Sequence, residues 1–304
     1  MATDLTARVG SVTLPNPVMT ASGTAGHGAE LADYFDLASL GAVVVKSLSA
    51  EPWAGNPAPR VHETPRGMLN SVGLQNPGVE AWLEHELPAL LSTGARVVAS
   101  IWGFTVDAYE KAATMLRGVD GIVAVEVNVS CPNVEDRRRM FAHSPSATAE
   151  VVASAAASDL PRWAKLSPNV TDLTEIAAAA AEAGADALTL INTVMGLAID
   201  PSTRRPRLGA GGGGLSGAAI RPVAVRAVYE CRAALPSTPI VGVGGISRGE
   251  DAVEMIMAGA DAVEVGTATF ADPKAPARVL RELEKWCRRQ GVRTISELRG
   301  AAHG

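Results

Sequence analysis

The chain has 304 residues, 47% of them apolar and 19% charged, and its 27 basic and 32 acidic side chains leave a formal net charge of −5. That composition suits a globular α/β domain, excludes a disordered chain and offers no basic excess for binding nucleic acid. Cys131, Cys231 and Cys287 are too few for a disulfide framework, contain no Cys-x-x-Cys pair for zinc or an iron–sulfur cluster, and fit a reducing compartment.

The N-terminal segment, Met1 to Asn16, carries Asp4 and Arg8 and no apolar core of signal-peptide length. Nothing approaches the run of about eighteen apolar residues that a membrane span requires, so the expectation is a cytoplasmic protein without a membrane contact. Short β-branched runs then alternate with Ala/Leu-rich segments. The predicted strands are Pro17–Ala21, Ala42–Ser47, Arg96–Ile101, Ile122–Val129, Trp163–Leu166, Ala187–Asn192, Pro239–Val243 and Ala262–Val265. The helical segments that follow them are Glu30–Leu40, Val79–Leu91, Val106–Arg117, Ser146–Ser158, Thr171–Ala183, Ala218–Ala233, Arg248–Ala258 and Ala275–Gln290. Asp172 and Ser247 stand at N-cap positions, and Gly184 and Gly259 where helices stop.

Near-continuous apolar strands are buried on both faces, as in a parallel sheet. Eight βα units predict a closed (β/α)8 TIM barrel filling residues 1–304 as one domain, with a doubly wound open sheet as the alternative. Long connections after strands two, four and six lie at the strands' C-terminal ends, where barrel active sites sit. Of these, Ser49–Pro77 is rich in Pro and Gly, and Val194–Gly217 contains the run Gly209-Ala-Gly-Gly-Gly-Gly214. The run reads either as ligand cover or as a slack surface loop.

Chemistry gathers at the same strand ends. Val241-Gly-Val-Gly-Gly-Ile-Ser247 ends strand seven and Val265-Gly-Thr-Ala268 ends strand eight. Glycines let the backbone approach an anion with free N–H groups, so Gly244, Gly245, Gly266 and Thr267 form a phosphate cradle, or merely tight turns. Strand four ends Glu126-Val-Asn-Val-Ser-Cys-Pro-Asn133. Its Cys131 is a candidate general base, against the alternative of an inert packed thiol, and the flanking polar residues and Pro132 argue against deep burial. Cys231 and Cys287, on predicted helices, read as structural. Lys46 and Lys165 end apolar strands, and a lysine there is costly unless it meets an anion or snorkels to the surface. With Asn70, Asn128, Asn192 and Thr193 nearby and no acidic pair evident, the site suits a planar, amide-rich ligand.

Seven strings in order along the chain resemble class 1 dihydroorotate dehydrogenases: Asn16-Pro-Val-Met-Thr-Ala-Ser-Gly-Thr24, Gly67-Met-Leu-Asn-Ser-Val-Gly-Leu-Gln-Asn-Pro77, Asn128-Val-Ser-Cys-Pro-Asn133, Lys165-Leu-Ser-Pro-Asn-Val-Thr-Asp172, Leu190-Ile-Asn-Thr193, Gly213-Gly-Leu-Ser-Gly217 and Gly244-Gly-Ile246. A cysteine at 131 and no N-terminal membrane helix resemble class 1, and the strings around Met19 and Lys165 resemble subclass 1B. The resemblance implies FMN as cofactor and oxidation of dihydroorotate to orotate in pyrimidine biosynthesis, with Cys131 as base. It implies a homodimer core joined to an FAD and iron–sulfur electron-transfer subunit in a heterotetramer that passes electrons to NAD+. It places Ala21, Ser22, Gly23, Lys46, Ser47, Ser100, Asn128, Lys165 and Ile191 against the flavin. Gly217, Gly244, Gly245, Gly266 and Thr267 would hold the rest of the FMN. It places Lys46, Asn70, Val72, Gly73, Leu74, Asn128, Asn133, Asn192 and Thr193 around the substrate.

Two strings depart from the family. Ala99-Ser-Ile-Trp-Gly103 stands where an Ala-Asn-x-x-Gly string is usual, so Ser100 and Trp102 are expected to alter one flavin contact. Arg137-Arg-Arg-Met-Phe-Ala142 replaces the usual glycine pair and Phe-Gly of the substrate loop. Three other readings stay open from sequence: a dihydropyrimidine dehydrogenase-like flavoenzyme, a flavin-free barrel lyase or isomerase acting on a phosphorylated metabolite, and a non-catalytic scaffold.

Overall fold

A computed structural model describes residues 3–131 and 140–304. Asn133, Pro132 and the Arg137–Arg139 run lie outside the described residues. The eight anticipated strands are present as β1 (Val18–Thr20), β2 (Val43–Val44), β3 (Val97–Ile101), β4 (Ile122–Asn128), β5 (Arg162–Leu166), β6 (Ala187–Leu190), β7 (Ile240–Val243) and β8 (Ala262–Val265). All pair in parallel, in the order β1-β8-β7-β6-β5-β4-β3-β2. A parallel bridge between Met19 and Ala42 joins the two ends, with Gly41 N–H donating to Val18 O at 2.8 Å. The sheet is therefore a (β/α)8 barrel, and the open-sheet alternative falls.

Period-two alternation sorts each strand into an outer and an inner face. Outward residues such as Val125, Val127, Ala164, Leu188 and Val263 pack in the large shell beneath the helices. Inward residues stack in layers. The bottom layer is apolar and takes a residue from every strand: Met19, Val44, Val98, Ala124, Trp163, Ala187, Val241 and Ala262. An N-terminal antiparallel hairpin, Ala7–Val9 with Val12–Leu14, seals it by adding Ala7, Val9 and Leu14. Five of the next inward positions are polar and buried: Ser100, Glu126, Lys165, Thr189 and Glu264.

Helices deviate from expectation where local chemistry interrupts them. The segment after β1 forms only two 3-10 turns, Glu30–Asp33 and Leu37–Ser39, because the Asp36 carboxylate accepts from Ala38 N–H and starts a new turn. Val79–Leu91 is split into α1 (Val79–His85) and α2 (Leu87–Ser92). Pro88 has no N–H to give and its ring opposes the carbonyl four residues back. Asp172 caps the helix Leu173–Glu182 as expected. Ser247 is not the cap of helix Gly249–Met257: that residue is Arg248, and Ser247 instead donates its N–H and hydroxyl to the Asp251 carboxylate. Gly184 and Gly259 have positive φ just past their helices.

The two long connections after β2 and β6 form one structure. Val61–Thr64, Gly67–Asn70, Gly213–Ser216 and Val194–Gly196 make a four-stranded antiparallel sheet beside the barrel's C-terminal mouth. The glycine run is thus partly strand and no slack loop. A Cβ on Gly214 would stand 2.0 Å from Thr193 Oγ1, and one on Gly213 2.4 Å from Asn70 O, so close approach explains both glycines. Among the described residues, no helix is long and apolar enough to cross a membrane.

The bottom layer depends on its largest member. Trp163→Ala is expected to lower the unfolding free energy by about 3–5 kcal/mol, measured by urea denaturation.

Candidate active site

A cavity of about 820 Å³ opens at the C-terminal ends of the strands, within the roughly 300–1,000 Å³ usual for ligand pockets. The end of β1 supplies Ala21, Ser22 and Gly23, and the end of β2 supplies Lys46 and Ser47. The four-stranded sheet and its loop bring Asn70, Val72, Gly73 and Leu74. Asn128, Lys165, Ile191, Asn192 and Thr193 stand on the central strand ends, and Gly217, Gly244, Gly245, Gly266 and Thr267 close the far side. Nineteen of the anticipated residues therefore meet at one cavity.

Ser100 and Cys131 do not line it. Ser100 is fully buried one layer below, its hydroxyl between Ser47 Oγ at 2.9 Å and Glu126 Oε1 at 3.2 Å. It reaches the cavity through Ser47 and makes no contact of its own. Trp102 also misses it, packing edge-on against Trp53 and Phe104. Cys131 is fully buried, contrary to the sequence expectation, with its thiol 3.4 Å from Asn128 O. Phe141 N–H donates to Cys131 O, so the chain folds back over it. Burial pushes the thiol up to about 12, although the Tyr109 hydroxyl and the Lys46 charge pull the other way. Tyr109 is itself held by a 2.6 Å bond to Asn128 O. Cys231 and Cys287 are buried on helices, as expected for packing residues.

Lys46 does not snorkel. Burial brings its ammonium down to about 8, the nearby Lys165 charge adding to the shift and Cys131 opposing it. The asparagines are oriented by mutual bonds: Asn192 Nδ2 donates to Asn128 Oδ1 at 3.1 Å, and Asn128 Nδ2 donates to Ser47 Oγ at 3.4 Å. Asn70 Nδ2 donates to Gly214 O at 3.3 Å, tying the two long connections together. At the far side, no described residue accepts from the backbone N–H of Gly244, Gly245, Gly266 or Thr267. Four free donors at one edge are what an anion needs, and Gly245, with φ +76° and only 2.5 Å between a Cβ and Arg221 Cβ, has no room for a side chain.

Sequence reasoning missed an acidic pair. Lys165 Nζ lies 3.2 and 3.3 Å from the two oxygens of Glu126 and 3.1 Å from Glu264 Oε2, all three side chains being buried. Glu264 is held well above the usual carboxylate range by burial and the neighbouring Glu126 charge. The Lys165 ammonium is stabilised, the two carboxylates overcoming its desolvation. Asn169 was also missed. It follows β5 and donates Nδ2 to Ser167 Oγ and Thr193 O, bracing the strand-six wall. Among the described residues no group of three His, Cys, Asp or Glu side chains is arranged to hold a metal.

The family model described as dihydroorotate dehydrogenase matches residues 4–287. The chain belongs to the dihydroorotate dehydrogenase family. It is 54% identical over 296 residues to a protein of Desulforudis audaxviator named dihydroorotate dehydrogenase B (NAD(+)), catalytic subunit, covering 97% of this chain and 96% of that one. A Geobacter sp. protein of the same name is 48% identical, with 98% of each chain covered. A Solibacter usitatus relative, 48% identical with 99% of each covered, is named putative dihydroorotate dehydrogenase A (fumarate).

Removing Lys165 would strand its partners. Lys165→Met is expected to cost about 3–5 kcal/mol at neutral pH. Both carboxyls must then be protonated in the fold, so their folded pKa values exceed the unfolded ones. The variant's stability is therefore highest in acid and falls as pH rises through the folded values; urea denaturation at pH 5 and pH 8 measures this.

Proposed function

We propose that the protein oxidises (S)-dihydroorotate to orotate on a bound FMN, in pyrimidine biosynthesis, with Cys131 as the base. The observation that carries the reading is the convergence of Lys46, Asn70, Asn128, Asn192 and Thr193 on one cavity whose far edge offers four free N–H donors. The donors at Gly244, Gly245, Gly266 and Thr267 fit the phosphate of FMN, and Lys165 supplies a fixed cation to the flavin ring. FMN, when bound, is the hydride acceptor and supplies the two-electron redox chemistry.

The protein's own residues do the rest. Asn70, Asn128, Asn192 and Asn133 match the amide edges of the pyrimidine, and Thr193 adds a hydroxyl. Val72, Gly73 and Leu74 cover it from the four-stranded sheet, which excludes water. Lys46 meets substrate and flavin with a single cationic donor. Cys131, as thiolate, takes the proton from C5 of dihydroorotate while the hydride leaves C6. Its buried thiol favours the protonated state in the free protein, so the base is generated at a cost that Lys46 and Tyr109 reduce. Ser22, Ala21, Gly23, Ser47 and Ile191 shape the flavin face, and Gly217 makes room at the phosphate end.

Electrons leave through a partner subunit carrying FAD and an iron–sulfur cluster, on to NAD+, in a heterotetramer built on a homodimer of this chain in the cytoplasm. The words "catalytic subunit" in the names of two relatives support a partner. Direct reduction of fumarate is the second reading, favoured by the name of the Solibacter relative.

An anaerobic titration with L-dihydroorotate, followed at the flavin absorbance, tests the reading. Rapid bleaching in the wild type, slowed about 10²–10⁴-fold in Cys131→Ala, is expected. A yellow protein that dihydroorotate does not bleach would move the substrate to other dihydropyrimidines. Reoxidation by fumarate without any partner would favour the second acceptor.

The two titrating groups predict opposed pH limbs. Below about pH 12 the thiolate fraction of Cys131 grows with pH, so the bleaching rate at saturating substrate rises on the alkaline side of neutrality. Lys46 loses its charge above about pH 8, so orotate affinity falls there. Lys46→Met is expected to abolish the second limb, read by orotate-induced flavin difference spectra.

A further inference from the structure

A continuous line of side chains runs from the cavity to the buried acidic pair. Ser22 Oγ lies 3.2 Å from Ser47 Oγ, Ser47 Oγ 2.9 Å from Ser100 Oγ, and Ser100 Oγ 3.2 Å from Glu126 Oε1. Ser47 and Ser100 are buried, and Ser22 stands at the cavity wall. With Glu126 ionised, counting protons fixes the direction of every bond. A serine hydroxyl has one proton to donate and an ionised carboxylate has none. Ser100 therefore gives its proton to Glu126, Ser47 gives its proton to Ser100, and Ser22 gives its proton to Ser47. Asn128 Nδ2 also donates to Ser47 Oγ at 3.4 Å, which agrees with Ser47 being an acceptor on that side.

We propose that Glu126, Ser100, Ser47 and Ser22 form one polarised hydrogen-bond chain, anchored by Lys165, that presents the Ser22 oxygen to the flavin as an acceptor for an N–H or O–H group. Glu126 is the anion that sets the direction, and Ser100 is a positioning residue acting through Ser47 and Ser22. The second carboxyl keeps the anion in place. Glu126 meets Lys165 through both oxygens and also accepts from Ser100, whereas Glu264 meets Lys165 through Oε2 alone and its Oε1 has no partner among the described residues, so the negative charge is assigned to Glu126 and the proton to Glu264. The chain, Lys165 and the pair together bear one positive and one negative charge, so the layer under the cofactor is neutral. Were Glu126 the protonated member, every hydroxyl would turn round and Ser22 would offer a donor instead. The polarity of a contact at the cavity is thus decided three residues away.

This inference rests on FMN being the cofactor. The full chain is freed of flavin and titrated with FMN, following flavin fluorescence, for wild type, Ser22→Ala, Ser100→Ala, Ser100→Thr and the Ser22→Ala/Ser100→Ala double variant. Ser22→Ala and Ser100→Ala are each expected to weaken FMN about fivefold, the worth of one ordinary hydrogen bond. Ser100→Thr, which keeps the hydroxyl, restores binding to within about twofold. The double variant binds no more weakly than Ser22→Ala alone, because both substitutions cut the same chain. Unchanged FMN affinity in Ser100→Ala, or effects that multiply in the double variant, would overturn the proposal. Infrared spectra of the flavin-free chain give a second measurement. The wild type shows the carbonyl stretch of a protonated carboxylic acid at neutral pH and Glu264→Gln lacks it. No such band in the wild type, or a band that survives in Glu264→Gln, would also overturn it. A wild-type chain that takes up no FMN sinks the cofactor reading instead, and the infrared band then decides the polarity of the chain by itself.

Discussion

A lysine between two buried carboxylates sits where the barrel changes from hydrocarbon to chemistry. Each of the three charges would be costly alone in that environment. Together they form one cluster, with Lys165 in contact with both carboxyls. β4, β5 and β8 each contribute one member. The layer therefore ties opposite sides of the barrel together and fixes the height at which polar side chains begin. Below it the interior is apolar and sealed by the N-terminal hairpin. Above it the strand ends carry amides, hydroxyls and free backbone donors.

From that layer the division of labour follows. Strand ends hold Lys46, Asn128, Lys165 and Asn192, so the polar groups of the cavity floor stand on the barrel's regular elements and not on its loops. The cover is made by the two long connections, joined in a sheet of their own. Cys131 lies just past β4, sealed under Phe141 and against Tyr109. A thiol kept dry is a poor base in the free protein and a strong one once deprotonated. Its burial thus withholds the thiolate while shielding the thiol from solvent and oxidation.

The barrel was legible because its signal is repetitive: eight apolar runs, each followed by a helix former, leave little choice of architecture. Helix boundaries failed where one residue overrode composition, as Pro88 and Asp36 did. The site was legible wherever polar residues interrupt an apolar run at its end, which exposed Lys46, Lys165, Asn128 and Asn192. Glu126 and Glu264 were hidden by the same logic. Each sits singly inside an apolar strand and was absorbed into the run. Period-two phasing would have found them, since both fall on the inward face with Ala124 and Ala262 and at the depth of Lys165. The burial of Cys131 was illegible because it depends on the returning chain at Phe141, a contact ten residues on that no local pattern encodes. Ser100 was expected at the flavin and lies behind Ser47, off the cavity wall, since strand direction, not composition, decides which inward side chain reaches the surface.

Surface loops ordinarily drift in length and composition with little penalty to the scaffold. The connections after β2 and β6 lack that freedom. Asn70 pairs with Gly214 across 144 positions of chain, and Gly213 and Gly214 have no space for a methyl group. An insertion in either segment would shift the register of both, moving Asn70 and Thr193 together. New ligand preferences in this scaffold must therefore come from paired changes in two distant stretches of sequence, and a lineage that altered one of them alone would lose the cover before it gained a new substrate.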